Sequence, residues 1–113
     1  MNRLMIRSAV TATLLAACPL SSHAQSASPT LSKIADTGTI TLGHRESSIP
    51  FSYYDDKQQV VGYSHELMLK VVEAVKADLK KPGLAIKLVP VTSQNRIPLI
   101  VNGTVDIECG STL

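Results

Sequence analysis

The chain has little of what several large classes of protein require. It holds no tryptophan, one phenylalanine and three tyrosines in 113 residues, and its lysines and arginines form no basic patch interleaved with aromatics. A nucleic-acid interface needs that combination, so nucleic acid is not an expected partner. Cysteine is confined to Cys18 and Cys109, too few for a disulfide framework. The three histidines, His23, His44 and His65, stand far apart and lack the close spacing of a metal site, so no metal and no cofactor are expected. Internal repeats and low-complexity tracts are missing. The apolar run from Ala9 to Ala17 is too short to span a bilayer.

That run has another reading. Arg3 and Arg7 precede it, and small residues ending Ser22-His23-Ala24 follow it before Gln25, the layout of a secretory signal peptide over residues 1–24. The chain is therefore expected to be exported. Leu15-Ala16-Ala17-Cys18 also has the form of a lipoprotein cleavage site, which would leave Cys18 as a lipid-anchored first residue. Pro19 and Leu20 extend the apolar run toward Ala24 and favour the soluble form. The formal charge of +2 belongs to Arg3 and Arg7; beyond Gln25 the acids and bases balance. Cleavage after Ala24 leaves Cys109 alone in an oxidising compartment, either buried and free or paired with a cysteine elsewhere.

Residues 25–29 read as a polar linker, and residues 30–113 as the folded part. Thr30 can cap a short helix through Ile34, stopped at Gly38 by a left-handed residue. Thr39 to Leu42 is β-branched and predicts a buried strand. Phe51–Tyr54 and Val60–Tyr63 flank the polar turn 55–58 and predict a hairpin. Ser64 is the expected cap of a longer helix, with Leu67, Val71, Val75 and Leu79, widened by Met68 and Val72, as its core-facing stripe. Pro82-Gly83 ends it. Leu84–Val91 predicts a second strand. A short helix opening near Ser93 should turn Ile97, Ile100 and Val101 inward, and Val105–Cys109 should form a third strand.

The order strand, hairpin, helix, strand, helix, strand is a βαβαβ unit, so the fold class is α/β with a parallel sheet and right-handed crossovers. Such sheets bind ligands beyond the carboxyl ends of their strands. Three segments follow strand ends here: Gly43-His44-Arg45, Thr92-Ser93 and Gly110-Ser111-Thr112. They should converge along one edge. Arg45 and Arg96 each lie near hydroxyl side chains, and a guanidinium grips a carboxylate through two charge-assisted hydrogen bonds. Two arginines suggest a ligand with two carboxylates. A three-stranded parallel sheet with one helical layer would leave apolar surface uncovered, so the expectation is an incomplete domain.

The words Gly43-His44-Arg45-Glu46-Ser47-Ser48-Ile49-Pro50-Phe51-Ser52-Tyr53-Tyr54, Val61-Gly62-Tyr63-Ser64, Thr92-Ser93-Gln94-Asn95-Arg96-Ile97-Pro98-Leu99, Asn102-Gly103-Thr104 and Glu108-Cys109-Gly110-Ser111-Thr112 carry a resemblance. In this order and spacing they resemble the family 3 solute-binding proteins of amino-acid ABC transporters, most closely the periplasmic glutamate/aspartate-binding proteins. The resemblance implies a two-lobed type II periplasmic-binding-protein fold, of which this chain holds the first part of lobe one. It implies a monomer that closes on L-glutamate or L-aspartate and delivers it to the membrane permease of an ABC importer. By matching position it implies Arg45, Ser93, Arg96, Ser111 and Thr112 as ligand contacts, Arg96 on the α-carboxylate and Arg45 on the side-chain carboxylate. A half-built lobe offers an open, hydrated edge where ion pairs are screened, so the chain by itself is expected to bind poorly.

Two other functions use the same scaffold: a dehydratase-like enzyme, and the extracellular sensor domain of a receptor. An enzyme needs an acid or base with a tuned pKa. Glu46 and Glu108 are the acids near the strand ends, and neither forms a recognisable pattern with a second carboxylate or a histidine. No catalytic residue is expected.

Overall fold

In a computed structural model, residues 28–111 are described; the expected signal peptide, Cys18 and Thr112 lie outside them. The first helix, α1, runs Pro29–Thr37, with Ser28 before it and Pro29 at its first position. Thr30 is therefore inside the helix, and so is Pro29, the last residue of the expected linker, whose residues 25–27 lie outside the described ones. Proline suits the first position because its missing N–H has no partner there in any helix. Gly38 ends α1 in the left-handed region, at φ 66°, and its amide bonds the Ile34 carbonyl at 2.9 Å.

Strand β1 (Thr39–His44) is the centre of a parallel sheet. Strand β5 (Ala85–Pro90) pairs with it over its whole length, Thr39 against Ala85 through His44 against Pro90. Strand β6 pairs on the other side only through Ile107–Glu108, shorter than the 105–109 span expected. Asp106 takes the place of further ladder bonds: its amide donates to the Thr41 carbonyl and its carboxylate accepts from the Thr41 amide, at 2.9 and 2.8 Å. The buried Asp106 carboxylate also pairs with Lys33 of α1.

Between β1 and the long helix lies a small antiparallel sheet of β2 (Ser47–Ser48), β3 (Ser52–Tyr54) and β4 (Val60–Val61). Tyr53 opposes Val61 and Tyr54 opposes Val60, the expected hairpin with an added short strand. Helix α2 spans Tyr63–Leu79. Its cap is Gly62, not Ser64. The first-turn amides of Tyr63 and Ser64 donate to the carbonyls of Pro50 and Phe51, at 3.0 and 2.8 Å, so no side-chain cap is needed. Gly62 has φ 119°, and a Cβ there would lie 2.5 Å from the Phe51 oxygen. Past Leu79 the C-cap of α2 is Lys80, itself left-handed at φ 54°.

Ile34, Ile40, Leu42, Met68, Val72 and Leu84 form the core, with Leu69, Val75, Leu79, Ile107 and Cys109 packed against it. The α2 stripe is thus rotated from expectation. Met68 and Val72 are buried, whereas Leu67 and Val71 are exposed, because one sheet face of this width covers only part of a six-residue stripe. Helix α3, Arg96–Val101, departs further: Ile97, Ile100 and Val101 are exposed, with no described element packed over them. No helix among the described residues is long and apolar enough to cross a membrane.

Candidate functional site

Side chains alternate along a strand, and β1 uses this to separate two environments. Ile40 and Leu42 join the core under α2, and His44 continues that face, buried, with its ring edge-on to Tyr54 at 5.5 Å between centroids. Gly43 and Arg45 belong to the opposite face. A Cβ on Gly43 would stand 3.0 Å from Glu108 Cγ, 3.1 Å from Val105 and 3.2 Å from Val91, so glycine lets β5, β6 and their following loops crowd together here. Val105 therefore shares the face of Glu108 rather than that of Ile107, so strict alternation does not reach back from β6 to residue 105.

The backbone of Arg45 is held by Ser52, which is fully buried. The Ser52 hydroxyl accepts from the Arg45 amide and donates to the Arg45 carbonyl, both at 3.0 Å. The Arg45 guanidinium then reaches across the strand ends. Its Nη1 donates to Ser93 Oγ and to the Ser111 carbonyl, each at 3.1 Å.

Arg96 arrives from the other side. Thr92 Oγ1 accepts from the Asn95 amide at 3.2 Å, and Asn95 Oδ1 accepts from the Thr92 amide at 2.7 Å, a reciprocal capping box. The Arg96 amide bonds the Thr92 carbonyl at 3.1 Å. Thr92, one residue before the expected Ser93, thus caps the turn that leads into α3, whose own N-cap position is Asn95. Ser93 is spared for Arg45. Arg96 is buried; its Nη1 donates to the Ser111 carbonyl at 2.9 Å and its Nη2 to the Gly110 carbonyl at 3.2 Å. Nη2 also pairs with Glu108 Oε2.

Arg45, Ser93, Arg96 and Ser111 are thereby brought into one cluster at the carboxyl ends of β1, β5 and β6. Ser111 enters through its carbonyl rather than its hydroxyl. Glu108 is the member that sequence reasoning passed over as an acid without a partner. Its signal was the alternation Ile107-Glu108-Cys109, which sends the middle residue to the face opposite the core. Among the described residues, Arg45 makes its side-chain hydrogen bonds through Nη1 only, so Nη2 and Nε are open to a further acceptor. A planar carboxylate matches that edge of the fork.

His65 of α2 is buried near His44, and its Nδ1 has no partner among the described residues. Burial lowers its pKa below the usual histidine value, the neighbouring His44 lowers it further, and Glu66 opposes both.

A parallel-sheet edge with two converging guanidinium groups can hold an anionic ligand. The sequence pattern of the bacterial extracellular solute-binding proteins, family 3, matches residues 40–113, and the chain belongs to that family. It is 63% identical over 89 residues to the glutamate/aspartate import solute-binding protein of Escherichia coli, covering 79% of this chain and 30% of that one. It is 61% identical over 94 residues to the Salmonella typhimurium protein of the same name, covering 80% and 31%. To the L-glutamate/L-aspartate-binding protein of Pseudomonas aeruginosa it is 55% identical over 109 residues, covering 96% and 35%. The chain thus spans about a third of the length of these relatives.

Among solved structures it resembles an ancestral cationic amino-acid solute-binding protein, with TM-score 0.60 and 28% identity over 71% of this chain and 32% of that one. The cysteine-binding protein of Campylobacter jejuni is similar at TM-score 0.59 and 28% identity, covering 70% and 30%. The fold is that of part of one lobe of a type II periplasmic binding protein.

Proposed function

We propose that this chain supplies the first part of lobe one of the substrate-binding component of an ABC importer for acidic amino acids. The observation that carries the reading is the convergence of Arg45 and Arg96 on one carbonyl at the sheet's carboxyl edge. The names of the three relatives support glutamate and aspartate as ligands. In the bound state Arg45 takes the side-chain carboxylate through its open edge, and Arg96 takes the α-carboxylate. A ligand carboxylate is a charged acceptor and displaces neutral carbonyls such as those of Gly110 and Ser111 from a guanidinium. Ser93, Ser111 and Thr112 complete the contacts from this lobe.

Residues 1–24 act in this proposal as a signal peptide that sends the protein to the periplasm, with lipid anchoring at Cys18 the alternative. Residues 30–113 belong to lobe one, and the remainder of a full-length protein supplies the second lobe. That protein is a monomer that hands its ligand to a membrane permease. It performs no chemistry. Glu108, the acid nearest the two arginines, is buried and committed to Arg96, which is a poor arrangement for a general acid or base.

Calorimetric titration of the full-length protein with L-glutamate, L-aspartate and L-glutamine tests the reading. Binding of both acidic amino acids, with glutamine much weaker, is the expected result. Failure to bind either acid would contradict it.

A further inference from the structure

A buried carboxylate is an unexpected component of a site built to hold carboxylates. The Glu108 side chain is only 5% exposed. Its Oε2 pairs with Arg96, and its Oε1 is buried with no hydrogen-bond partner among the described residues. Two glycines make room for it. A Cβ on Gly43 would stand 3.0 Å from Glu108 Cγ, and one on Gly110 would stand 2.7 Å from Oε1. The unsatisfied oxygen is a cost, since a lone pair buried away from donors forfeits its hydration. Glu108 is one of three acceptors on the Arg96 terminal nitrogens, and unlike the Gly110 and Ser111 carbonyls it is charged.

What Glu108 changes is the charge. Arg45 and Arg96 alone would give the cluster two positive charges; with Glu108 the charged groups bonded into it leave one. An amino acid with an acidic side chain carries two carboxylates and one ammonium, for a net charge of minus one. A plain dicarboxylate of the same length, such as glutarate, carries minus two. We propose that Glu108 is a specificity-determining residue that matches the site to a monoanionic amino dicarboxylate and disfavours dicarboxylates lacking the ammonium group. The inference rests on the proposed function, because it assumes that both carboxylates meet this cluster.

The test compares L-glutamate with glutarate in the full-length protein and in its Glu108→Gln and Glu108→Asp variants, by calorimetric titration. Both ligands share the carboxylate contacts, so damage to packing cancels in the ratio of their affinities. Removing the negative charge favours the ligand with one more negative charge. At an effective dielectric of about 20 and with partial screening, Glu108→Gln is expected to shift the ratio toward glutarate by roughly tenfold. Glu108→Asp keeps the charge while shortening the side chain, and its ratio should stay within about twofold of the parent's.

An unchanged ratio in a folded Glu108→Gln protein would overturn the proposal. So would a large shift in Glu108→Asp, which decides the matter even if the glutamine variant does not fold. A parent protein that binds no glutamate would instead mark failure of the proposed function, and this inference would fall with it.

Discussion

Arg45 and Arg96 donate to the same acceptor, the carbonyl oxygen of Ser111, at 3.1 and 2.9 Å. They come from different elements, one following β1 and the other opening α3. Two like charges share one neutral oxygen, and Glu108 is the acid that offsets them. This relationship links the fold to its proposed ligand, because it sets both the spacing of the two guanidinium groups and the net charge of the cluster.

Breaking the Arg96–Glu108 pair from one side should be costly. Arg96→Met leaves a buried carboxylate without its counter-charge, and about 3–5 kcal/mol of stability should be lost. Adding Glu108→Gln to that variant should recover a substantial part. Urea denaturation of the parent, single and double variants measures both. A double variant no more stable than Arg96→Met would show that the pair is not the cause.

Thr92 and Ser93 are neighbours with separable roles. Thr92→Ala removes the capping bond to the Asn95 amide and should cost about 1 kcal/mol. Ser93→Ala should change stability by less than about 0.5 kcal/mol, as expected of an exposed side chain outside a cap. It should weaken glutamate binding, because it loses the contact that orients Arg45. Melting curves and titrations of the two variants separate these effects; equal destabilisation would contradict the assignment of the cap.

Gly62 offers a sharper test of how α2 is anchored. An added Cβ meets the Phe51 carbonyl at 2.5 Å in a backbone conformation that disfavours side chains. Gly62→Ala should destabilise the protein by about 2 kcal/mol or more, through strain and the loss of capping from the 50–51 loop. A melting temperature equal to the parent's would contradict this.

The lowered pKa of His65 makes stability depend on pH in one direction. Folding favours the neutral ring, so the contribution is complete above the ordinary histidine value of about 6.5. It is lost as pH falls below that value toward the folded-state pKa, where the native protein must accept a proton beside His44. His65→Gln should flatten the pH dependence of the melting temperature between about pH 7 and pH 5. An identical slope in the variant would place the effect elsewhere.

The strands were legible because β-branched and apolar runs bounded by Gly38, Gly43 and Pro82-Gly83 leave few alternatives. The parallel order followed from the helices between them. The convergence of Arg45, Ser93, Arg96 and Ser111 also follows from topology, since strand ends in such a sheet face one edge. Periodicity, however, says only which residues share a helix face. It did not reveal that Leu67 and Val71 lie beyond the covered part of the α2 stripe, nor that Ile97, Ile100 and Val101 are left exposed. The cap of α2 was hidden for a different reason: its acceptors are backbone carbonyls of Pro50 and Phe51, which every residue possesses. Glu108 and Arg96 are twelve positions apart. Only the register of β6 against β1 brings them together.

The central claim is that Arg45 reads the side-chain carboxylate of an acidic amino acid. Titrating the full-length protein and its Arg45→Ala variant with L-glutamate and L-glutamine tests it most directly. A charge-assisted fork contributes about 1.5–3 kcal/mol, so glutamate affinity should fall by roughly tenfold to a hundredfold while glutamine affinity changes little. Equal losses for the two ligands would contradict the account, because Arg45 would then contribute nothing that distinguishes a carboxylate from an amide.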